Sequence, residues 1–399
     1  WLKLGSGLTC GRPFSCCQPL PCDGMEPEAV TAVAAVAGAV CATTLSWLAG
    51  ATRARAFAKL ADKETGEQRR KLAPPDVDMS REYLPGDALH EIAASRELDN
   101  ARAFLTLQSG ENIFYQTWAP RSGAVRAVVV LIHGFGDHCD FLLALLAKAL
   151  CNTGPFAAVA FDLPGHGRSD GSFVSIADWH SFVGASREVV AGHLRPLIAD
   201  RWPGARTFGL GASMGGGVLF SMLVRERELF DGAIMVCPML FVSPELLPGA
   251  IVMQAFKHVM VPCLPSWPLS PNKDIKNLLF QDAGVKDYVF EEAKHHKSII
   301  YTSKPRLGTA YQLVYTAGEW MRSKIPEFDV PTLIVHGGGD TVTDHRVSKE
   351  LFERMKNPDK EFLSPEGVWH LDLFNGGPSH REGVRERLTA VASWISKRL

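Results

Sequence analysis

The sequence predicts an α/β protein with a mostly parallel, doubly wound sheet and a helical cap insertion. Short apolar runs alternate with helical patterns from about residue 102 to residue 399. These runs are apolar at nearly every position, which is typical of parallel strands that are covered on both faces. The alternation stops over about residues 239–328, where prolines and aromatic residues are frequent. We expect this insertion to cover the carboxyl edge of the sheet, where proteins of this class bind ligands.

Seven of the apolar runs are predicted to be strands, and the segments between them have helical spacing. The predicted strands are 112–118, 127–132, 157–161, 207–210, 232–236, 332–335 and 361–363. Residues 52–101 are polar and contain two adjacent prolines. We therefore expect a linker and a lead-in helix there, before a folded domain of residues 102–399.

The composition narrows the class of protein further. Of 399 residues, 46 % are hydrophobic and 21 % are charged, which excludes a largely disordered chain, a collagen and a pure coiled coil. Forty-two Lys and Arg against 43 Asp and Glu give a formal net charge of −1, so we expect no nucleic-acid partner. Nine cysteines show no zinc-ligand spacing, and we expect mainly reduced thiols.

An uncharged segment lies near the amino terminus. Residues 29–51 are 23 positions without a charged side chain, which is long enough for a helix to span a bilayer. Basic residues dominate the segment that follows, and this favours a membrane anchor with the rest of the chain in the cytosol. The many alanines leave a targeting peptide and a soluble helix as alternatives. We expect residues 1–51 to be a targeting or membrane-anchor segment.

A nucleophile is predicted where the run 207–210 ends. Gly211-Ala212-Ser213-Met214-Gly215 matches the pattern G-x-S-x-G between a predicted strand and a predicted helix, the context of a nucleophile elbow. A second match surrounds Ser169, but it follows a loop instead of a strand. We therefore predict that Ser213 is the nucleophile and that Ser169 is a loop residue hydrogen-bonded to its neighbours.

A serine hydroxyl needs a general base and an orienting acid to act at neutral pH. His370 follows the last predicted strand, and Asp340 follows the run 332–335, so both belong to loops at the carboxyl edge of the sheet. They also come after Ser213 in the order expected of such enzymes. Asp344 and Asp329 remain alternatives for the acid.

The oxyanion of an acyl-transfer reaction needs two backbone N–H donors. Met214 follows the nucleophile, and Phe135 lies in His133-Gly134-Phe135-Gly136 after the run 127–132, so these two residues are predicted to supply them. The alternative for this segment is a structural turn, and His133 is predicted to brace it. The loop 162–167 is assigned a scaffold role.

Taken in order, the segments HGFGDH, DLPGHGRSDG, GASMGGG, HGGGDTV and WHLDL resemble the monoacylglycerol lipase-like branch of the α/β-hydrolase superfamily, which includes plant caffeoylshikimate esterases. The cap segment 303–313 is also similar to that branch, and the resemblance covers about residues 100–398. It implies the same roles for five residues: Ser213 as nucleophile, Asp340 as acid, His370 as base, and Phe135 and Met214 as oxyanion donors. Ala212 stands where the family usually has His or Glu, and Asp137 where Glu is common, which bears on substrate preference.

The sequence thus predicts a serine hydrolase that cleaves a carboxylic ester through an acyl-enzyme, and the resemblance suggests monoacylglycerol or lysophospholipid as substrate. Phenolic-ester hydrolysis and acyl transfer to an alcohol remain alternatives, as does an inactive ligand-binding scaffold of the same fold. A peptidase would need an acidic clamp for a free amino group, and a haloalkane-type hydrolase would need Asp at position 213. No metal or organic cofactor is implied, because metalloprotease and P-loop patterns are absent.

Overall fold

The computed structural model describes residues 60–270, 275–295 and 299–399. The predicted targeting or anchor segment, including residues 29–51, lies outside the described residues. None of the described helices is both long enough and apolar enough to cross a membrane.

An eight-stranded sheet with the order β1-β2-β4-β3-β5-β6-β7-β8 forms the centre of the structure. The strands are β1 (Leu98–Thr106), β2 (Asn112–Pro120), β3 (Ala127–Ile132), β4 (Phe156–Phe161), β5 (Arg206–Ala212), β6 (Gly232–Val236), β7 (Thr332–Val335) and β8 (Lys360–Leu363). The pairs β1–β2 and β2–β4 are antiparallel, and the remaining pairs are parallel. The α/β class and the mostly parallel sheet predicted from the sequence are confirmed.

Helices cover both faces of this sheet, and further helices belong to the insertion between β6 and β7. They are α1 (Gly66–Leu72), α2 (Ala88–Ala93), α3 (Leu142–Thr153), α4 (Trp179–Glu188), α5 (Arg195–Arg201), α6 (Met214–Arg225), α7 (Ala250–Ala255), α8 (Val261–Cys263), α9 (Ala283–His295), α10 (Leu307–Tyr311), α11 (Gly318–Lys324), α12 (His345–Arg354), α13 (Asp372–Asn375) and α14 (Arg381–Ser396). Short π-helical segments at Val189–Leu194, Phe256–Met260 and Gln312–Ala317 continue α4, α7 and α10.

Two apolar cores lie on opposite faces of the sheet, and β3 contributes to both. Its residues Val128 and Val130 pack with α4 and α6 on one face, while Val129 and Leu131 pack with α3 and α14 on the other. All six residues of β3 are buried. Burial on both faces explains why the run 127–132 is apolar at every position.

Each predicted strand lies within an observed one, but β1 was missed. Only one of its nine residues is buried, and its sequence LDNARAFLT has no continuous apolar run. Among the described strands it lies at the edge of the sheet and pairs only with β2. An edge position needs less apolar surface than a central one, which removes the signal used to find the other strands.

Between β6 and β7 the chain leaves the sheet and forms α7 to α11. This stretch contains the predicted insertion of 239–328. Several of its residues, among them Leu269, Phe290 and Tyr301, line the same cavity as Ser213. The insertion therefore lies over the carboxyl edge of the sheet.

The expectation that residues 52–101 form a linker before the folded domain is wrong for the described part, residues 60–101. Residues 60–101 contain α1, α2 and the start of β1, and the strand crosses the expected domain boundary at residue 102. The side chains of Arg69 and Arg81 are almost fully buried. Polar composition suggested exposure to solvent, but the Arg69 guanidinium can be buried because carbonyl oxygens accept its hydrogen bonds, and Nη2 of buried Arg81 donates to the carboxylate of Asp87.

Candidate active site

Ser213 occupies a sharp turn between β5 and α6. Its backbone has φ 54° and ψ −120°, in the left-handed region that is rare for residues other than glycine. A Cβ atom at Gly211 would lie 2.4 Å from the carbonyl oxygen of Gly215, and one at Gly215 would lie 2.1 Å from that of Ile132. The chain can make this turn only with glycine at both positions, so the motif forms the strained elbow at the place predicted from the sequence.

The structure brings three of the predicted site residues into one hydrogen-bonded series. The Oγ atom of Ser213 lies 3.0 Å from Nε2 of His370. The other ring nitrogen, Nδ1 of His370, lies 2.6 Å from Oδ2 of Asp340. Both His370 and Asp340 are buried. This is the geometry of a serine nucleophile with an adjacent base and an orienting carboxylate.

Asp340 is held by a dense set of donors. The backbone N–H groups of Val342 and Thr343 donate to its Oδ1 at 2.7 and 3.2 Å, and the Thr343 hydroxyl donates to Oδ2 at 2.9 Å. Burial alone would raise the pKa of Asp340, but His370, His336 and the hydrogen bonds together hold this pKa far below its usual range. Asp340 is therefore a permanently charged partner for His370.

The two alternative acids have other roles. Asp344 is the N-cap of α12 and accepts a hydrogen bond from the backbone N–H of Arg346 at 3.0 Å. Asp329 forms an ion pair with Arg227 at 3.1 Å. The geometry thus selects Asp340 as the carboxylate that faces His370.

The charge of Asp340 also acts on His370. Burial alone would lower the pKa of His370, but the adjacent Asp340 carboxylate outweighs burial and raises this pKa well above its usual value. A raised pKa means that the site stabilises the imidazolium form. That form appears when His370 takes the proton of the serine hydroxyl.

The segment 133–136 after β3 lies directly against the nucleophile. A Cβ atom at Gly134 would be 3.2 Å from Cβ of Ser213, so only glycine allows this approach without displacement. Phe135, the next residue, lines the cavity beside Ser213. Met214 is the first residue of α6, where a backbone N–H has no acceptor within the helix. The two predicted oxyanion donors thus flank the serine.

His133 connects this turn to the loop that follows β4. Its Nδ1 donates to the carbonyl oxygen of Gly134 at 2.8 Å, and its Nε2 accepts a hydrogen bond from the N–H of Leu163 at 3.0 Å. Both ring nitrogens are occupied, so His133 braces the turn as expected. In the same loop, the Ser169 hydroxyl donates to the Asp162 carbonyl oxygen and accepts from the N–H of Phe114, which leaves Ser169 buried and away from the series described above.

Ser213 and His370 open onto a cavity of about 520 Å³. Its volume falls within the range of about 300–1,000 Å³ that is usual for small-molecule sites. Most of its lining is apolar and comes from α3, the insertion and the segment around His370. Representative lining residues are Leu142, Leu146, Phe290, Ile300, Tyr301 and Leu371.

Three polar groups lie at the cavity wall, and none of them was assigned a catalytic role from the sequence. Burial raises the pKa of Asp137 to about 7, and its Oδ1 has no hydrogen-bond partner among the described residues. Asn375 is nearly buried, and its Oδ1 is likewise without a partner there. Cys237 directly follows β6, and its Sγ lies 3.9 Å from Nε2 of His370. The sequence could have indicated that Cys237 lies near the site, because it directly follows a parallel strand. The carboxyl ends of parallel strands meet at one edge of the sheet, where Ser213 also lies.

Cys237, Asp340 and His370 also form a group of potential metal ligands within the described part of the chain. The imidazole and carboxylate are already hydrogen-bonded to each other, and the thiol donates to the carbonyl oxygen of His370 at 3.5 Å. Each of the three groups is therefore accounted for by the arrangement around Ser213.

Comparison with known proteins identifies the family. The Hydrolase_4 family model, described as serine aminopeptidase S33, matches residues 123–375, which is more than half of the chain. The chain belongs to this family. The residues matched by the Hydrolase_4 model include the elbow, the turn after β3, Asp340 and His370.

Relatives with curated names include monoglyceride lipases and a caffeoylshikimate esterase. The chain is 28 % identical to monoglyceride lipase of Homo sapiens over 296 residues, which cover 72 % of this chain and 88 % of that protein. It is 25 % identical to caffeoylshikimate esterase of Arabidopsis thaliana over 310 residues, or 77 % of this chain and 89 % of that protein. The predicted resemblance to the monoacylglycerol lipase-like branch is confirmed, and the protein is a hydrolase.

A solved structure shares the fold. The match is a soluble variant of monoglyceride lipase from Saccharomyces cerevisiae in complex with a substrate analog, with a TM-score of 0.63 and 19 % sequence identity. It covers 79 % of this chain and 99 % of the other. The α/β-hydrolase fold is thereby established for this Hydrolase_4 member.

Proposed function

We propose that this protein is a serine esterase that hydrolyses a lipid ester, with monoacylglycerol or lysophospholipid as substrate. The observation that carries the proposal is the series Ser213–His370–Asp340, which opens onto an apolar cavity. The fold and the family support a hydrolase, while the substrate class and the acyl-enzyme are the further steps proposed here.

In the acylation step, Oγ of Ser213 attacks the ester carbonyl carbon while Nε2 of His370 takes the hydroxyl proton. The carbonyl oxygen becomes an oxyanion, and the backbone N–H groups of Phe135 and Met214 donate hydrogen bonds to it. The C–O bond to the alcohol then breaks, and His370 returns its proton to the leaving alkoxide. Asp340 keeps the imidazole oriented and stabilises its charge throughout this step.

In the deacylation step, water repeats the attack on the acyl-Ser213 ester. His370 removes a proton from the water, the same two N–H groups hold the oxyanion, and the proton passes to Oγ of Ser213 as the acid departs. An alcohol in place of water would give acyl transfer. The same residues serve both outcomes, so the choice depends on which acceptor the cavity admits.

The lining of the cavity favours an acyl chain as the group bound there. Apolar side chains from α3 and the insertion surround the space next to Ser213, and burial of apolar area is the main source of affinity for such a ligand. Ala212 adds no polar group at the position where the family usually has His or Glu. The curated relative from Homo sapiens, named a monoglyceride lipase, supports the same assignment.

Two further substrate classes have specific support. The relative from Arabidopsis thaliana is named a caffeoylshikimate esterase, which favours a phenolic ester. The family description names an aminopeptidase, and Asp137 places a carboxyl group at the cavity wall. Burial raises the pKa of Asp137 to about 7, so this group is only partly charged at neutral pH and makes a weak clamp for an ammonium group.

We further propose that residues 29–51 associate the protein with a membrane and leave the catalytic domain in the cytosol. What supports this is the uncharged length of the segment and the basic residues that follow it. Organelle targeting is the alternative. Association of full-length protein with liposomes, compared with a chain lacking residues 1–51, tests this proposal.

The test of the main proposal is release of fatty acid from long-chain monoacylglycerol by the full chain. Ser213→Ala should lower kcat at least about 10³-fold, because the covalent step is lost. Ser221→Ala is the matched control, since this buried serine lies on α6 and its Oγ has no hydrogen-bond partner among the described residues. Ser169→Ala should also keep most of the activity.

Parallel assays with a phenolic ester and an amino-acid anilide separate the substrate classes. Faster turnover of either one than of monoacylglycerol would replace the lipid assignment. Equal activity of wild type and Ser213→Ala on every substrate would contradict the serine mechanism.

A further inference from the structure

The segment Leu60–Ala73, called the arm below, is fixed to the catalytic domain by a buried arginine. The Nε and Nη2 atoms of Arg69 donate to the carbonyl oxygens of Gly167 and Gly171 at 2.6 and 3.0 Å, and Nη2 also donates to that of Ser169. The Nη1 atom donates to the carbonyl oxygen of Lys63 at 2.9 Å. One side chain thus joins the turn of the arm to the loop after β4.

Glu64 links the arm to the insertion. Its carboxylate Oε2 lies 2.5 Å from Nη2 of Arg306, a buried arginine that also donates to the carbonyl oxygens of Phe173 and Ser266 at 3.1 Å. The carbonyl oxygen of Glu64 accepts a hydrogen bond from the N–H of Phe173 at 3.1 Å. The arm is therefore bonded both to the loop after β4 and to the insertion, and other residues of the insertion line the cavity.

Leu60 completes this attachment through apolar contact. It is buried in a small cluster with Phe173, Val174 and Tyr301, and Phe135 packs against the same cluster. The ring of Tyr301 lies with its centroid 5.3 Å from that of Phe173 and 5.8 Å from that of Phe135. The arm therefore packs against the Tyr301 side chain, which in turn contacts the ring of a predicted oxyanion residue.

The backbone of Tyr301 is bonded directly to the same turn. Its N–H donates to the carbonyl oxygen of Gly136 at 2.7 Å. Gly136 has φ 74°, and a Cβ atom there would lie 3.1 Å from the carbonyl oxygen of Tyr301. Displacement of Tyr301 would therefore move the segment that carries the N–H of Phe135.

We propose that the arm is a positioning element of the active site, in which Leu60 and the Glu64–Arg306 ion pair hold Tyr301 against the turn of Phe135 and Gly136. Leu60 and Glu64 are not among the described residues that line the cavity, so they act through Tyr301 and not on substrate. The inference rests on the proposed function, because it assigns the N–H of Phe135 to the oxyanion.

The expected effect is on kcat and not on KM. The carbonyl oxygen gains its charge only in the transition state, so a displaced N–H donor weakens binding of the transition state and leaves ground-state binding of the acyl chain unchanged. Small displacements from remote changes can cost up to about 10²-fold in rate. We expect Leu60→Ala and Glu64→Ala in the full chain to lower kcat by roughly 10- to 100-fold.

Conservative variants and matched controls complete the design. Glu64→Gln keeps an acceptor for Arg306, and Leu60→Met keeps the volume, so both should restore most of the rate. Glu226→Ala breaks another partly exposed ion pair, with Arg187, and Leu388→Ala removes a buried leucine from α14. Leu388→Ala should lose stability and Glu226→Ala should change stability little. Neither control should show a selective loss of kcat.

A second readout reports the oxyanion site itself. A trifluoromethyl ketone adds Ser213 Oγ to its carbonyl carbon and forms a hemiketal oxyanion, with the serine proton taken by His370. Its inhibition constant should rise across the arm variants in proportion to the fall in kcat/KM. A folded Glu64→Ala variant whose kcat and inhibition constant stay within twofold of wild type would overturn the inference, even where Leu60→Ala fails to fold.

If the proposed function is wrong, the result differs from the one expected when only the arm inference is wrong. Wild-type protein would then show no Ser213-dependent ester turnover. The positioning role of the arm could still be tested by the rate at which a fluorophosphonate labels Ser213. That reaction needs the same oxyanion donors but no ester substrate. Equal labelling of wild type and Glu64→Ala would overturn the arm inference in that case.

Discussion

Asp340 determines at which pH the site can act. His370 must be neutral to accept the serine proton, and the Asp340 carboxylate raises the pKa of His370. Asp340→Asn removes that charge, so the acid limb of the kcat/KM profile should shift to lower pH. The rate itself should fall by roughly 10⁴-fold, because the amide no longer favours the correct tautomer. A pH–rate profile from pH 5 to pH 9 measures both effects.

Asp344→Asn is the control for that change, since this residue caps α12 and does not face His370. It should leave the position of the acid limb unchanged. An acid limb that stays in place in Asp340→Asn would show that another group controls the pKa of His370.

Asp137 should make the stability of the protein depend on pH. Its folded-state pKa is raised to about 7, above the value near 4 that an unfolded chain gives, because the carboxyl is buried. Between these pH values the folded state binds more protons than the unfolded state, so its contribution to the free energy of unfolding decreases as the pH rises. Asp137→Asn should therefore be more stable than wild type at pH 8, with little difference at pH 4.

Urea unfolding at the two pH values measures that difference. The exposed Asp329→Asn should show no comparable dependence, since exposed ion pairs contribute little. A stability difference for Asp137→Asn that is the same at both pH values would contradict the raised pKa.

The elbow between β5 and α6 is the element with the strictest sequence requirement. Gly215→Ala would place Cβ 2.1 Å from the carbonyl oxygen of Ile132, a backbone atom of a buried central strand. We expect this variant to lose more than about 3 kcal/mol of stability or to fail to fold. Thermal unfolding followed by circular dichroism measures the loss.

Gly192→Ala is the matched control, because its Cβ would meet only Cγ of Glu188, at 3.8 Å. Alanine within a helical segment should stabilise the fold by up to about 1 kcal/mol. A Gly215→Ala variant as stable as Gly192→Ala would mean that the elbow can relax away from β3.

Some elements of the fold and of the site could be predicted from the sequence, and others could not. The elbow and Asp340 were predictable because they follow the mostly buried strands β5 and β7, whose apolar runs can be recognised in the sequence. His370 was predictable because it follows β8, a short strand that has no buried residue but ends in Phe362 and Leu363. The edge strand β1 was not, since an edge position does not require continuous apolar residues. The arm was interpreted as a linker because a buried arginine looks like an exposed one until its acceptors, the carbonyl oxygens of a loop about 100 residues away, are known.

The molecule as a whole includes more of the amino-terminal region than the predicted domain boundary suggests. A chain that begins at residue 80 lacks Leu60, Arg69 and Glu64, so the loop after β4 loses its buried donors and Tyr301 loses its support. We expect this chain to unfold at a lower temperature and to have little esterase activity. A chain that begins at residue 52 should match the full-length protein in both respects. Differential scanning calorimetry and ester turnover compare the three chains.

Similar behaviour of the chains that begin at residues 52 and 80 would mean that the arm is dispensable. A loss of activity in the shorter chain without any loss of stability would instead favour the positioning role alone.

The arm and its partner in the insertion are synthesised far apart in time. Glu64 and Arg306 are 242 residues apart in the chain. At typical translation rates of about 5–20 residues per second, the arm leaves the ribosome roughly 10–50 s before its partner exists. Contacts between distant parts of a chain also form late in folding, because they require closure of a long loop. The contact between the arm and the insertion therefore forms after most of the catalytic domain has been synthesised. Because the predicted base His370 follows Arg306 in the chain, a nascent chain with a completed elbow cannot yet hydrolyse an ester.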